Sequence, residues 1–306
     1  MPEVTLSAGT IEYEDTAHRD TAHRDTVHRD TALGDAAVAA GGARDRPTLV
    51  LLHGLTMDSS VWHEVVADLG PGFRCVRPTL PLGAHRLPMR DGADLTLRGM
   101  ALLVGEFLEA LDLRDVTLVL NDWGGAQILL SEGRPEVVAR VGRLVLTACE
   151  AFDNYPPGLP GRLVTAACRA PATVRLMMEG LRFRALRRAP GGWGWMSRRP
   201  VPGAMMDAWF TPARVDPLVR RDLAAYVLSV PDRATLLRYA DGMRTFGRPV
   251  LVVWAKEDRL MPRADGARLA ALFPDARLVE LDDTYTLIPI DQPHRLAELL
   301  RDFTGG

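Results

Sequence analysis

Lysine is nearly absent from this 306-residue chain: Lys256 is the only one, and arginine carries almost all the basic charge. No chemistry requires that bias, and the codon preference of a GC-rich genome accounts for it. Cysteine is scarce too. Cys75, Cys149 and Cys168 are odd in number and widely spaced, which excludes a disulfide framework and a cysteine metal site. They read as reduced, buried thiols in a cytoplasmic protein. No apolar run approaches the roughly 20 residues of a membrane span, and Met1 to Ser7 shows neither the basic nor the apolar part of a signal peptide. A strong excess of one charge is missing as well. The formal net charge is −2, so the balance suggests neither nucleic acid nor membrane as a partner. Nucleotide-binding and metal motifs are also lacking, and no cofactor is expected. With 47% apolar and 25% charged residues, the composition is that of a soluble globular protein.

A five-residue unit, Asp-Thr-Ala-His-Arg, repeats from Asp15 to Asp30 and brings His18, His23 and His28 with it. A period of five sets successive histidines about 140° apart on a helix and on alternating faces of a strand, so neither geometry gathers them around a metal. An arginine beside each one repels a cation. The tract, with the small-residue stretch Ala36 to Ala43, reads as a solvated, disordered insertion over 15–46.

Regular patterning follows. Strand-type apolar runs are expected at Thr48–Leu52, Arg74–Arg77, Val116–Leu120, Arg143–Thr147, Val250–Trp254 and Arg277–Leu281. Helical spacing is expected near Ser60–Leu69, over Leu95–Leu113, from Ala126, and over Arg263–Leu272. Alternating strands and helices imply an α/β protein with a mostly parallel sheet covered on both faces. The alternation stops between Ala151 and Gly247. That stretch, with helical patches at Arg162–Arg169, Thr173–Arg188 and Pro217–Val230, reads as a helical lid over 151–247. The core is then 1–150 plus 248–306.

Reactive groups in a parallel sheet gather at the carboxyl ends of its strands. One such end is Leu120-Asn121-Asp122-Trp123-Gly124-Gly125, a sharp turn into a helix with glycines where a side chain would crowd. A second is His53-Gly54-Leu55-Thr56, a loop suited to offering a backbone N–H to an oxyanion. A third is Trp254-Ala255-Lys256-Glu257-Asp258. Each has a plainer reading: Asp122 as a helix cap, the His-Gly pair as a turn, Asp258 as a loop carboxylate.

Taken together in order and spacing, these residues resemble the α/β-hydrolase fold, in the branch of haloalkane dehalogenases and epoxide hydrolases. The resemblance covers roughly Val4 to Phe303 outside the repeat tract and much of the lid. It implies Asp122 as a nucleophile that forms an ester with substrate carbon, and an N–H from Trp123 for a leaving halide. It implies Leu55 and His53 at the oxyanion loop, and Asp258 as the supporting acid with Glu150 at the alternative acid position. The expected substrate is a small, moderately apolar molecule, and Met177, Met178, Met205, Met206, Trp209 and Phe210 read as lid-side walls of its pocket or simply as core.

Two positions depart from that pattern. The residue after the His-Gly pair is Leu55, where dehalogenases tend to carry asparagine. The final loop, Asp283 to Pro293, resembles the one that carries the catalytic histidine, but counting back from Pro293 gives Thr286. His294 lies beyond it and is expected to face solvent. An aspartyl ester needs a base for release, and threonine accepts no proton near neutrality. His85 is the histidine with a route to the site, although bonding within its own loop is the plainer reading. If Asp291-Gln292-Pro293 anchors this loop, Thr286 should point at the Asp122 carboxylate. Three functions stay open: a hydrolase acting through Asp122, a catalytically silent binding protein, and a non-hydrolytic enzyme using Asp122 and His85 as acid and base. The lid arginines Arg182, Arg184, Arg187, Arg188, Arg198 and Arg199 read as a solvated face or as a greeting for anionic substrates.

Overall fold

Strands built of Leu and Val without polar alternation need cover on both faces, and the chain supplies it. In a computed structural model, which describes residues 1–17, 46–189 and 192–305, the core elements run in the order β1 (Glu3–Thr5), β2 (Thr10–Asp15), β3 (Thr48–Leu52), α1 (His63–Leu69), β4 (Arg74–Pro78), α2 (Leu97–Ala110), β5 (Val116–Asp122), α3 (Ala126–Glu132), α4 (Pro135–Val138) and β6 (Val141–Cys149). A helical stretch follows: α5 (Gly158–Cys168), α6 (Pro171–Gly180), α7 (Arg184–Arg187), α8 (Gly203–Val215), α9 (Pro217–Val227) and α10 (Arg233–Gly242). The core then resumes with β7 (Val250–Ala255), α11 (Arg263–Leu272), β8 (Ala276–Leu281), α12 (Ile288–Asp291) and α13 (Pro293–Thr304).

The eight strands form one sheet in the order β1-β2-β4-β3-β5-β6-β7-β8. The β1–β2 and β2–β4 pairs are antiparallel and all others parallel. Helices α1 and α13 pack together, as do α2, α3 and α10. Leu49 to Leu52, Leu118 to Leu120 and Leu251 to Trp254 are fully buried between them. Each such aliphatic side chain contributes about 1.5–3 kcal/mol relative to exposure.

The helical stretch departs from its expected outline. Thr173–Arg188 is not one helix: α6 ends at Gly180, and a turn through Leu181 and Arg182 separates it from α7. Helices α8 and α10 carry weaker patterns and were not expected. The repeat tract with His18, His23 and His28 lies outside the described residues. Its expected start at Asp15 is corrected, since Asp15 ends β2, is 3% exposed and pairs with Arg74 at 2.7 Å. Thr16 likewise accepts a bond from the Cys75 N–H.

Candidate active site

Strand β5 ends in a turn that only a few residue arrangements allow. Asp122 adopts φ +63°, in the left-handed region that costs energy for a residue with a Cβ. Three glycines make room around it. A Cβ on Gly54 would fall 1.9 Å from Asp122 Oδ2, one on Gly124 would meet the Glu150 carbonyl at 1.9 Å, and one on Gly125 would enter the Trp123 ring. The Glu150 N–H donates to the Asp122 carbonyl at 2.9 Å, joining the ends of β5 and β6.

The Asp122 carboxylate accepts from the Leu55 N–H at 3.1 Å and is 6% exposed. Burial pushes its carboxyl up to about 7, the Leu55 N–H opposes the rise, and the Asp258 charge adds to it. His53 does not face the cavity. Its Nδ1 bonds the Gly54 carbonyl and its Nε2 accepts from the Leu80 N–H, so the ring braces the loop that presents Leu55. Burial holds His53 down at about 4, which keeps it neutral.

Asp258 accepts at Oδ1 from the N–H groups of Leu260 and Met261 and from the Thr286 hydroxyl at 2.9 Å. Its Oδ2 is buried without a partner. Burial pushes Asp258 up to about 6. Thr286 therefore turns toward Asp258 rather than toward Asp122, because the hydroxyl is too short to span what an imidazole spans. Asn121, which sequence reasoning passed over, fixes this loop: its amide donates to the carbonyls of Thr147 and Thr286.

His85 lies elsewhere. Its Nε2 is 3.2 Å from Asp222 Oδ2 and its Nδ1 accepts from the Gly83 N–H. The expected route to Asp122 is thus not taken: α9 supplies a buried carboxylate that holds the ring, and Asp222 also accepts from the Met89 N–H and Arg221. His294 is exposed, as expected, and bonds Asp68.

Above Asp122 lies a cavity of about 280 Å³. Asp122, Trp123, Leu55 and Glu150 form its floor, and residues of the helical stretch form its walls. Among the described residues no histidine lines it, and Asp122 and Glu150 are its only acids. Burial, then the charge of Asp122, pushes Glu150 well above the usual carboxylate range. Three lining groups are buried with no hydrogen-bond partner among the described residues: Trp123 Nε1, Trp193 Nε1 and the Tyr155 hydroxyl. The Tyr226 hydroxyl stands near Trp123 without the geometry of a bond. Trp193, Tyr155 and Tyr226 were not foreseen, since each reaches the cavity from a separate element. Of the expected walls only Met177 lines it. Met178, Met206, Trp209 and Phe210 are instead buried in the packing of the stretch, and Trp209 donates to Asp58 and Ser60.

Comparison with known proteins agrees with this architecture. Residues 49–299 match the alpha/beta hydrolase family. Haloalkane dehalogenase 2 of Mycobacterium tuberculosis is 26% identical over 264 residues, covering 85% of this chain and 88% of the relative. A pimeloyl-[acyl-carrier protein] methyl ester esterase of Aromatoleum aromaticum is 30% identical over 276 residues, 86% of this chain and all of the relative. Among solved structures, a haloalkane dehalogenase of Agrobacterium tumefaciens superposes with a TM-score of 0.71 at 18% identity, covering 99% of this chain and 95% of that one. The chain belongs to the alpha/beta hydrolase family, with haloalkane dehalogenases among its relatives in sequence and in fold.

Proposed function

We propose that the protein is a hydrolase that attacks a small, moderately apolar molecule with Asp122 and releases the resulting ester slowly. The observation that carries this reading is the Asp122 carboxylate itself, at a strained elbow, held by one N–H and facing an apolar cavity. Ionised Asp122 attacks an electrophilic carbon; the bond to the leaving group breaks and the leaving group departs with its electron pair. The Trp123 and Trp193 N–H groups, both unpartnered on the cavity wall, suit a departing anion. The helical stretch acts as the lid.

Release needs a base, and Glu150 is the other carboxyl on the cavity lining among the described residues. Glu150 takes a proton from water as the water oxygen attacks the ester carbonyl carbon. The tetrahedral intermediate then collapses: its bond to the alkyl oxygen breaks, Glu150 returns the proton to the departing alkoxide, and Asp122 is regenerated as a carboxyl that ionises before the next attack. A carboxyl that holds its proton this tightly is ionised only in part, which makes the second step slow. Asp258, capped by Thr286, supports the loop and passes no proton.

The test is incubation with a medium-chain alkyl bromide, read by intact mass and by halide release. A lasting adduct that disappears in Asp122→Asn supports the nucleophile, and a longer-lived adduct in Glu150→Gln supports the base. A binding protein is the second reading, favoured by the absence of histidine among the described residues of the cavity lining. Neither adduct nor halide release with any substrate would leave that reading standing.

A further inference from the structure

From Asn154 to Met206 the chain holds nine arginines and a single acid, Glu179, although its overall formal charge is −2. Arg162, Arg169, Arg175, Arg184 and Arg188 are exposed, and none forms an ion pair among the described residues. Most exposed arginines of the core, such as Arg98, Arg134 and Arg263, do have carboxylate partners.

Large apolar side chains stand out of the same segment. Leu176 is 72% exposed, Phe183 60%, Leu159 and Leu163 53%, and Leu186 51%. On α5 the exposed residues Leu159, Arg162 and Leu163, with Arg169 at its C-cap, recur at helical spacing and share one face. Leu163 and Leu186 are exposed and also line the cavity above Asp122, so this basic, apolar surface borders the cavity.

We propose that this surface docks on an anionic lipid bilayer. Arginines facing phosphate headgroups, with single Phe and Leu side chains among them, match the chemistry of a membrane interface. A second copy of the chain would present the same positive charge and be repelled. An acidic protein would satisfy the arginines but not five separate protruding apolar tips. No helix among the described residues is long and apolar enough to cross a membrane, so the contact is with the bilayer surface. The docking is independent of the reaction performed in the cavity, and it sets the opening against the phase where apolar molecules concentrate.

The experiment is co-sedimentation of the full chain with phosphatidylcholine vesicles, with and without phosphatidylglycerol. Wild type should bind the anionic vesicles and release them as salt rises. Arg175→Gln/Arg184→Gln should weaken the partition by about tenfold or more. Leu176→Ser/Phe183→Ser should weaken it at unchanged salt sensitivity. All four positions are exposed, and equal melting temperatures establish that the variants fold. Lack of preference for anionic over neutral vesicles overturns the proposal. So does retention on polyglutamate that is indifferent to Leu176→Ser/Phe183→Ser, which assigns the surface to an acidic protein instead.

Discussion

The Thr286 hydroxyl donates to Asp258 at 2.9 Å, while the other Asp258 oxygen is buried and unpartnered. The acid is thus in place for an imidazole that the sequence does not supply. Thr286→His should let Asp258 orient a base beside Asp122. Ester release is expected to speed up by about 10²–10⁴-fold, the usual contribution of a positioned base. The measurement is the lifetime of the alkyl adduct by intact mass. An unchanged lifetime in a folded variant would sink the idea that base loss limits turnover.

Alkylation of Asp122 requires its ionised form. With its carboxyl pushed up to about 7, the rate of adduct formation should rise with pH, bend near pH 7 and level off above it. A rate independent of pH from 5 to 9 (about two units either side of that value) would contradict the assignment.

The same shift has a sign in stability. The native carboxyl sits above the value of about 3.9 in an unfolded chain, so the folded state binds the proton more tightly. That contribution is complete below about pH 4, declines as pH rises toward 7, and is lost above. Asp122→Asn removes the cost of the buried charge. It should stabilise the fold at pH 8 by up to about 4 kcal/mol and have little effect at pH 4. Denaturant titrations of both proteins at the two pH values measure the difference.

Gly54→Ala should abolish attack while leaving the sheet intact. The new Cβ would fall 1.9 Å from Asp122 Oδ2, forcing the carboxylate off its place beside the Leu55 N–H. A displacement on that scale costs about 10²-fold or more in rate. Alkylation at the wild-type rate would show that the carboxylate has room the structure denies it.

Much of this architecture is legible in the residues. Thr48–Leu52 and Val250–Trp254 declare themselves as strands because a strand covered on both faces has no polar positions to confuse its pattern. Asp122 stands out because the crowding at an elbow admits only glycine beside it. The cavity was not legible in the same way. Tyr155, Trp193 and Tyr226 come from three separate parts of the helical stretch, and no local period connects them. Met206, Trp209 and Phe210 carry the apolar signature of a pocket wall, yet a helix packed on other helices needs the same residues. His85 misled because its partner, Asp222, lies 137 positions away. The overall charge, close to zero, averaged away the contrast between a basic helical stretch and an acidic remainder.

Asp291 is fully buried and accepts from the hydroxyls of Ser197 and Thr284 and from the N–H groups of Arg198, Arg199 and Tyr285. Asp291→Ala strands these donors and should destabilise the protein by about 3 kcal/mol or more, at the upper end for lost bonds to a charged group. Thermal melting checks it, and a change under about 0.5 kcal/mol, the range of an ordinary surface substitution, would contradict the anchor.

The position of that anchor also governs how the cavity can open. Asp291 and the bond from the Leu287 N–H to the Met196 carbonyl fasten the middle of the helical stretch, between α7 and α8, to the loop that carries Thr286. Residues 196–199, with Met196 on the cavity lining, therefore behave as the fixed jamb of a doorway. A substrate large enough to force the jamb would pull Thr286 away from Asp258 as it entered. Size selection at the entrance and the integrity of the acid's support are, on this geometry, the same mechanical event.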